Sequence, residues 1–180
     1  MHRIGLFLLL LCSGLGVAGA HPLAGSWRLM PDRGTDLAAW RALDLNISVD
    51  GDVVTITRKF AAGRRTFEDV TPINLTKPTV VPVELYPDAR YIGANISDRN
   101  PSKTVSGLWI GDGTVLRVNT DLELSTQQGE HPVNILGNYS VSTNGQQLTL
   151  IEIRSTRNQP LVYVFERLTG DEARATGTAE

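Results

Sequence analysis

Apolar and polar residues alternate through most of this chain with a period of two. Residues 43–50, Leu43-Asp44-Leu45-Asn46-Ile47-Ser48-Val49-Asp50, alternate without a fault. Period two means a strand with one buried and one wet face. Asp50-Gly51 follows as a two-residue hairpin signal, and residues 53–60 resume with Val54, Ile56 and Phe60 in phase. Ala62-Gly63 turns the chain into a strand over 65–71. Residues 80–86 are strand-like but interrupted by Pro82 and bracketed by Pro78 and Pro87, which suits an edge or rim segment. Further strands are predicted over 103–110, 115–125 and 133–143, with a loop at 127–132. Asn144-Gly145 is a second hairpin signal, and 148–155 is the next strand. Its Leu148 and Leu150 are out of phase with Ile151 and Ile153, which predicts a bulge. The last strand covers 161–168, and the small, polar tail 169–180 is expected to be disordered. One short helix is predicted after the first strand, capped by Thr35 and carrying Leu37, Ala38 and Trp40 at helical spacing. The pattern predicts an all-β, antiparallel up-and-down barrel of about 8–10 strands, because closing a meander removes its exposed edges.

The first 20 residues stand apart. Met-His-Arg, an apolar stretch from Ile4 and the ending Ala18-Gly19-Ala20 have the form of a secretory signal peptide. The expected organisation is a signal peptide at 1–20, one domain at 21–168 and the tail, in a secreted or periplasmic protein. Retention as an uncleaved anchor, or lipid attachment at Cys12, are the alternatives. Cys12 is the only cysteine, so cleavage leaves no disulfide and no thiolate ligand. Loss of the leader removes Arg3 and no acid, giving 16 − 19 = −3 from the 17 basic and 19 acidic residues of the whole chain. Charges of both signs are scattered, which argues against a nucleic-acid partner. No other segment reads as a membrane span, and nothing points to a protein partner. Asn46, Asn74, Asn95 and Asn138 head N-x-S/T sequons, which in a chain rich in Asn and Thr arise readily by chance.

Several short motifs occur in a telling order. Leu23-Ala24-Gly25-Ser26-Trp27-Arg28-Leu29 resembles the Gly-x-Trp opening strand of lipocalin-like proteins. Residues 48–56 resemble the hairpin that follows. Ser106-Gly107-Leu108-Trp109 with 113–118 resembles a Trp-turn-strand unit, and 139–150 with Tyr163-Val164-Phe165-Glu166-Arg167 resembles the closing strands. The whole is similar to secreted bacterial lipocalin-like (calycin-type) proteins of mostly unassigned function. The resemblance implies that Trp27 lies under the barrel floor with Arg167 packed across it, a contact worth ~0.5–2 kcal/mol.

The chemistry that remains is sparse. No Gly-x-Ser-x-Gly elbow, HExxH, phosphate loop or acidic calcium loop is present, so an enzyme is not expected. Asp121 and Glu123 share a strand face ~7 Å apart, a carboxylate spacing more simply read as solvated. His21 would begin the cleaved chain, and its amine and ring, with His131, would form a copper brace. That is the metal alternative; the leading reading has no metal and no cofactor. The leading function is binding of a small apolar or amphipathic ligand inside the barrel. The candidate lining is Leu45, Ile47, Val54, Ile56, Phe67, Leu116, Val118, Tyr139 and Phe165. The alternative is an envelope structural or protein-interaction module with a filled interior.

Overall fold

The computed structural model describes residues 21–35, 42–62, 65–83, 95–96 and 99–170. Each alternating segment forms a strand. They are β1 Gly25–Leu29, β2 Ala42–Asp50, β3 Val53–Ala62, β4 Arg65–Asn74 and β5 Thr79–Pro82, then β6 Asn95–Ile96, β7 Ser102–Ile110 and β8 Val115–Thr126, and finally β9 Gly129–Val141, β10 Gln147–Arg154 and β11 Leu161–Arg167. All pairings are antiparallel. The ladder runs β4-β3-β2-β1-β11-β10-β9-β8-β7-β5, with β6 beside β8. Ten strands in that order make a nearly closed barrel. β1 joins the chain's two ends: Trp27 stands opposite Leu45 on β2 and Arg167 on β11. Gly51 (φ 54°) and Gly145 (φ 72°) supply the left-handed backbone that the two hairpin signals require.

Two expectations need correction. The predicted bulge in β10 is absent: its ladder runs unbroken from Leu148↔Val141 to Arg154↔Ile135 on one side and from Gln147↔Glu166 to Glu152↔Leu161 on the other. The strand buries Leu148, Leu150, Glu152 and Arg154 and turns Ile151 (38% exposed) and Ile153 (48%) outward. The loop read at 127–132 is a tight turn at 127–128 followed by strand, and His131 pairs with Leu124. A short helix does follow β1, as a single 3₁₀ turn, Pro31–Arg33, in which proline's fixed φ suits the first position. The Thr35 N–H donates to Val162 O and its hydroxyl accepts from the Val162 N–H, while the residues it would cap lie outside the described ones. Leu37, Ala38 and Trp40 lie outside the described residues, as do the leader at 1–20 and 171–180. In the proline-rich middle, β5 Thr79–Pro82 covers the start of the strand read at 80–86, and 84–86 lie outside the described residues.

Candidate functional site

The barrel interior has two halves. Around β1 it is apolar and filled. Trp27, Ile47, Val54, Leu116, Leu148 and Phe165 are all buried there, in one continuous cluster with Leu23 and Ile73. Trp27 Nε1 donates to Leu23 O (3.1 Å), so the indole's one polar atom is satisfied. The Arg167 guanidinium lies 4.0 Å from the centroid of the Trp27 ring. It donates to Gly145 O (2.6 Å), Ala24 O (2.9 Å) and Pro22 O. Burial lowers its pKa from the ordinary arginine value. Gly25 is obligatory here: its φ is +135°, and a Cβ would stand 2.5 Å from Arg167 Nη1.

The other half holds a cavity of about 80 Å³. Apolar side chains such as Leu43, Leu45, Ile56, Phe60, Val118 and Leu150 form part of its wall. Charged ones form the rest. Arg58 on β3 donates to Tyr139 OH and lies 3.8 Å from Glu152 Oε1. Glu152 Oε2 accepts from Arg154 Nη2 (2.6 Å) and Nε (3.1 Å), and Arg154 Nη2 also donates to Tyr163 OH (3.1 Å). Lys103 Nζ on β7 donates to both Asp69 oxygens (2.7 and 2.8 Å) and to Thr71 Oγ1 (2.7 Å), both on β4. The polar wall is thus two groups: Arg58, Glu152 and Arg154 with the phenols of Tyr139 and Tyr163, and Lys103 with Asp69 and Thr71.

The titration behaviour follows from the packing. Burial pulls the Arg58 pKa down, but the acidic surroundings (Tyr139, Glu152 and Asp69) outweigh it and raise the value above the ordinary one. Burial would raise Asp69, yet Arg58 and Lys103 hold its carboxyl below the usual carboxylate range. Lys103 is lowered, chiefly by burial, with Asp69 opposing and Arg58 assisting. Burial pushes the Tyr139 phenol up. The described lining thus sets three basic side chains (Arg58, Lys103, Arg154) beside two acidic ones (Asp69, Glu152).

Of the candidate lining residues, Leu45, Ile56, Val118 and Tyr139 border this cavity. Ile47, Val54, Leu116 and Phe165 are buried in the filled half, and Phe67 packs half-buried against Phe60 at 6.1 Å between ring centroids. Sequence reasoning missed Arg58, Asp69, Lys103, Glu152 and Arg154. The signal was available: each falls in phase with an inward apolar residue, as in Val54-x-Ile56-x-Arg58-x-Phe60.

The two histidines are apart. His21 stacks on Trp109 (4.2 Å between centroids), and its Nδ1 accepts from Leu23 N–H. Trp109 pairs with Leu116, which pairs with Tyr139. Tyr139 is eight residues along β9 from His131, ~27 Å at strand rise. The structure does not bring the copper pair together. Asp121 is exposed on the outer face, where it accepts from the Asn119 (2.9 Å) and Asn134 (2.7 Å) side-chain amides.

No protein-family model matches the sequence, and no curated protein matches it at significant similarity. Solved structures do match in fold. One is a fatty acid transporter, REP1-NXSQ: 12% identity, TM-score 0.50, covering 82% of this chain and 97% of the other. Another is lipid binding protein 8 of Caenorhabditis elegans, without ligand: 8% identity, TM-score 0.50, 82% and 96% covered. A third is secretory abundant heat soluble protein 4 of Ramazzottius varieornatus: 9% identity, TM-score 0.51, 83% and 96% covered. At these identities the likeness is one of fold alone: an antiparallel, nearly closed β-barrel.

Proposed function

We propose that this chain is an exported binding protein for a small amphipathic molecule with one acidic group, and that it performs no covalent chemistry. The observation that carries this reading is the gathering of three basic side chains, Arg58, Lys103 and Arg154, in the wall of one cavity that is otherwise largely apolar. An acidic head entering among them would take charge-assisted hydrogen bonds, while Leu43, Leu45, Ile56 and Val118 receive the apolar part. Tyr139 and Tyr163 offer hydroxyls in the same place. Two of the similar folds are named for a fatty acid and for lipid binding, which agrees with this reading at the level of fold.

The cavity's size sets a condition. Drug-sized pockets run to about 300–1,000 Å³, and this one is about 80 Å³. A ligand larger than a few heavy atoms enters only when the ion-paired side chains move aside. Export rests on the leader at 1–20, and amino-terminal sequencing of protein recovered outside the cytoplasm should begin at His21.

The test is calorimetric titration with octanoate and with octanol, which differ in the acid alone. Octanoate is expected to bind at least tenfold more tightly, and Arg58→Met to remove most of that difference. Equal affinity for the two would overturn the acidic-head reading. Binding of neither, together with a folded protein that co-purifies with another chain, would favour an interaction module.

A further inference from the structure

The barrel is stitched by backbone hydrogen bonds between neighbouring strands everywhere along the described ladder except one place. β4 is one end of the strand order and β5 the other, and no described residue of β4 pairs with β5 or β7. The two edges meet through side chains instead. Lys103 on β7 reaches Asp69 and Thr71 on β4. Further along, Gly107 on β7 approaches Ile73 and Leu75 so closely that a Cβ on it would stand 2.5 Å from Ile73 Cγ2.

Three observations give this seam a use. Asp69, Thr71, Ile73 and Lys103 themselves line the cavity, so parting the edges opens it directly. Among the described residues, parting them breaks no strand ladder, whereas parting any two paired strands breaks several backbone hydrogen bonds whose groups must then find new partners. The outer lips beside the latch are apolar: Val70, between Asp69 and Thr71, is 48% exposed, and Val80, paired with the neighbour of Lys103, is 67% exposed.

We propose that the seam between β4 and the β5–β7 pair is the ligand's entrance, and that the Lys103–Asp69 ion pair is its latch. Val70 and Val80 receive the apolar part of an arriving molecule. Its acidic group then competes with Asp69 for Lys103, so the ligand class that the interior selects is also the class that releases the latch. This inference rests on the binding reading given above and goes beyond it in assigning the route.

The test is a removable staple. Ile73→Cys with Gly107→Cys places two thiols across the seam, on Cβ positions no more than about 4 Å apart, the spacing a disulfide takes. Cys12→Ser leaves these as the only thiols. The probe is octanoate carrying ¹³C in its carboxyl group, with association and dissociation rates read from NMR line shapes in the oxidised and reduced forms of the same protein. Oxidation is expected to slow association at least fivefold and to leave the dissociation constant within about threefold. In a second protein, Lys103→Met, association of octanol, which does not need the lysine, is expected to quicken. Equal association rates in the oxidised and reduced forms, with octanoate bound in both, would refute the entrance and leave the binding reading intact. Failure of the disulfide to form would show that the edges do not meet there, and refutes it as well. No bound signal in either form would sink the binding reading, and the entrance with it.

Discussion

Arg167 and Arg58 are both arginines packed inside one barrel, yet they are held in opposite ways. Arg167 closes the filled half. Its donors go to three backbone carbonyls and its face lies on Trp27. Those partners are fixed by the fold and carry no charge that a ligand could replace. Arg58 faces the cavity and is held by a phenol and, at 3.8 Å, by a carboxylate shared with Arg154. Its partners are side chains with rotamers to choose from. A cation tied to backbone carbonyls is architecture, whereas one tied to side chains can change partner. That distinction, and not the presence of arginine, separates the floor from the site.

The sharpest way to break the comparison is at the floor. Trp27→Ala removes the largest fully buried side chain and the face on which Arg167 rests. It should cost ~3–5 kcal/mol of stability, read from the urea midpoint at unchanged slope. Octanoate affinity of the fraction still folded should hold. A loss of affinity without loss of stability would mean that the two halves are not independent.

In the cavity half, Asp69→Asn should do less to stability and more to binding. It removes the carboxylate that Lys103 and Thr71 share, at a cost of ~1–3 kcal/mol. The described lining then has one acidic group fewer beside its three basic side chains. Octanoate should bind more tightly, by about tenfold, with octanol unchanged. Weaker octanoate binding would mean that Asp69 orders the site more than it competes there.

The same carboxylate predicts an acid signature. Asp69 has a folded-state pKa below its ordinary value of 3.8. A depressed acid contributes stability that is complete above the unfolded value and is lost as pH falls through the folded one. The wild type should therefore lose stability more steeply than Asp69→Asn below about pH 4, and the two curves should run parallel from pH 5 to 8. Thermal unfolding across that range checks it. Parallel curves down to pH 2 would show that the pair with Lys103 adds nothing to folding.

How much of this was legible depended on whether polarity and burial agreed. In β2 and β3 they mostly did: Leu43, Leu45, Ile47, Val54 and Ile56 are apolar, in phase and buried. The hairpins at Asp50-Gly51 and Asn144-Gly145 were equally plain, since each needs a positive φ that glycine supplies. The site was not legible, because it exists where the rule is broken. Lys103, Glu152 and Arg154 are buried, while Val80, Ile151 and Ile153 are exposed. Reading apolar as inward forced a bulge into β10 that the continuous ladder does not contain. Phase, extended from Leu148 and Leu150, would have placed Glu152 and Arg154 inside. Polarity of the individual residue overruled it. What no local pattern carries is the pairing across strands: Lys103 finds Asp69 34 positions away, and only the closed sheet brings them together.

The smallest effect tests that lesson directly. Ile153→Thr changes the most exposed isoleucine of β10 on its outward face, next to the buried Arg154. Were the strand bulged so that Ile153 faced the core, replacing it with threonine would lose apolar burial and bury a hydroxyl, a loss of well over 1 kcal/mol. In the unbroken ladder the side chain is half in water, threonine is as good a strand former as isoleucine, and the change should stay within about 0.5 kcal/mol. Octanoate affinity should be unaltered, since the residue does not border the cavity. A small thermal shift with unchanged binding would fix the direction of every side chain from Leu148 to Arg154, because turning one residue over in a strand turns all of them.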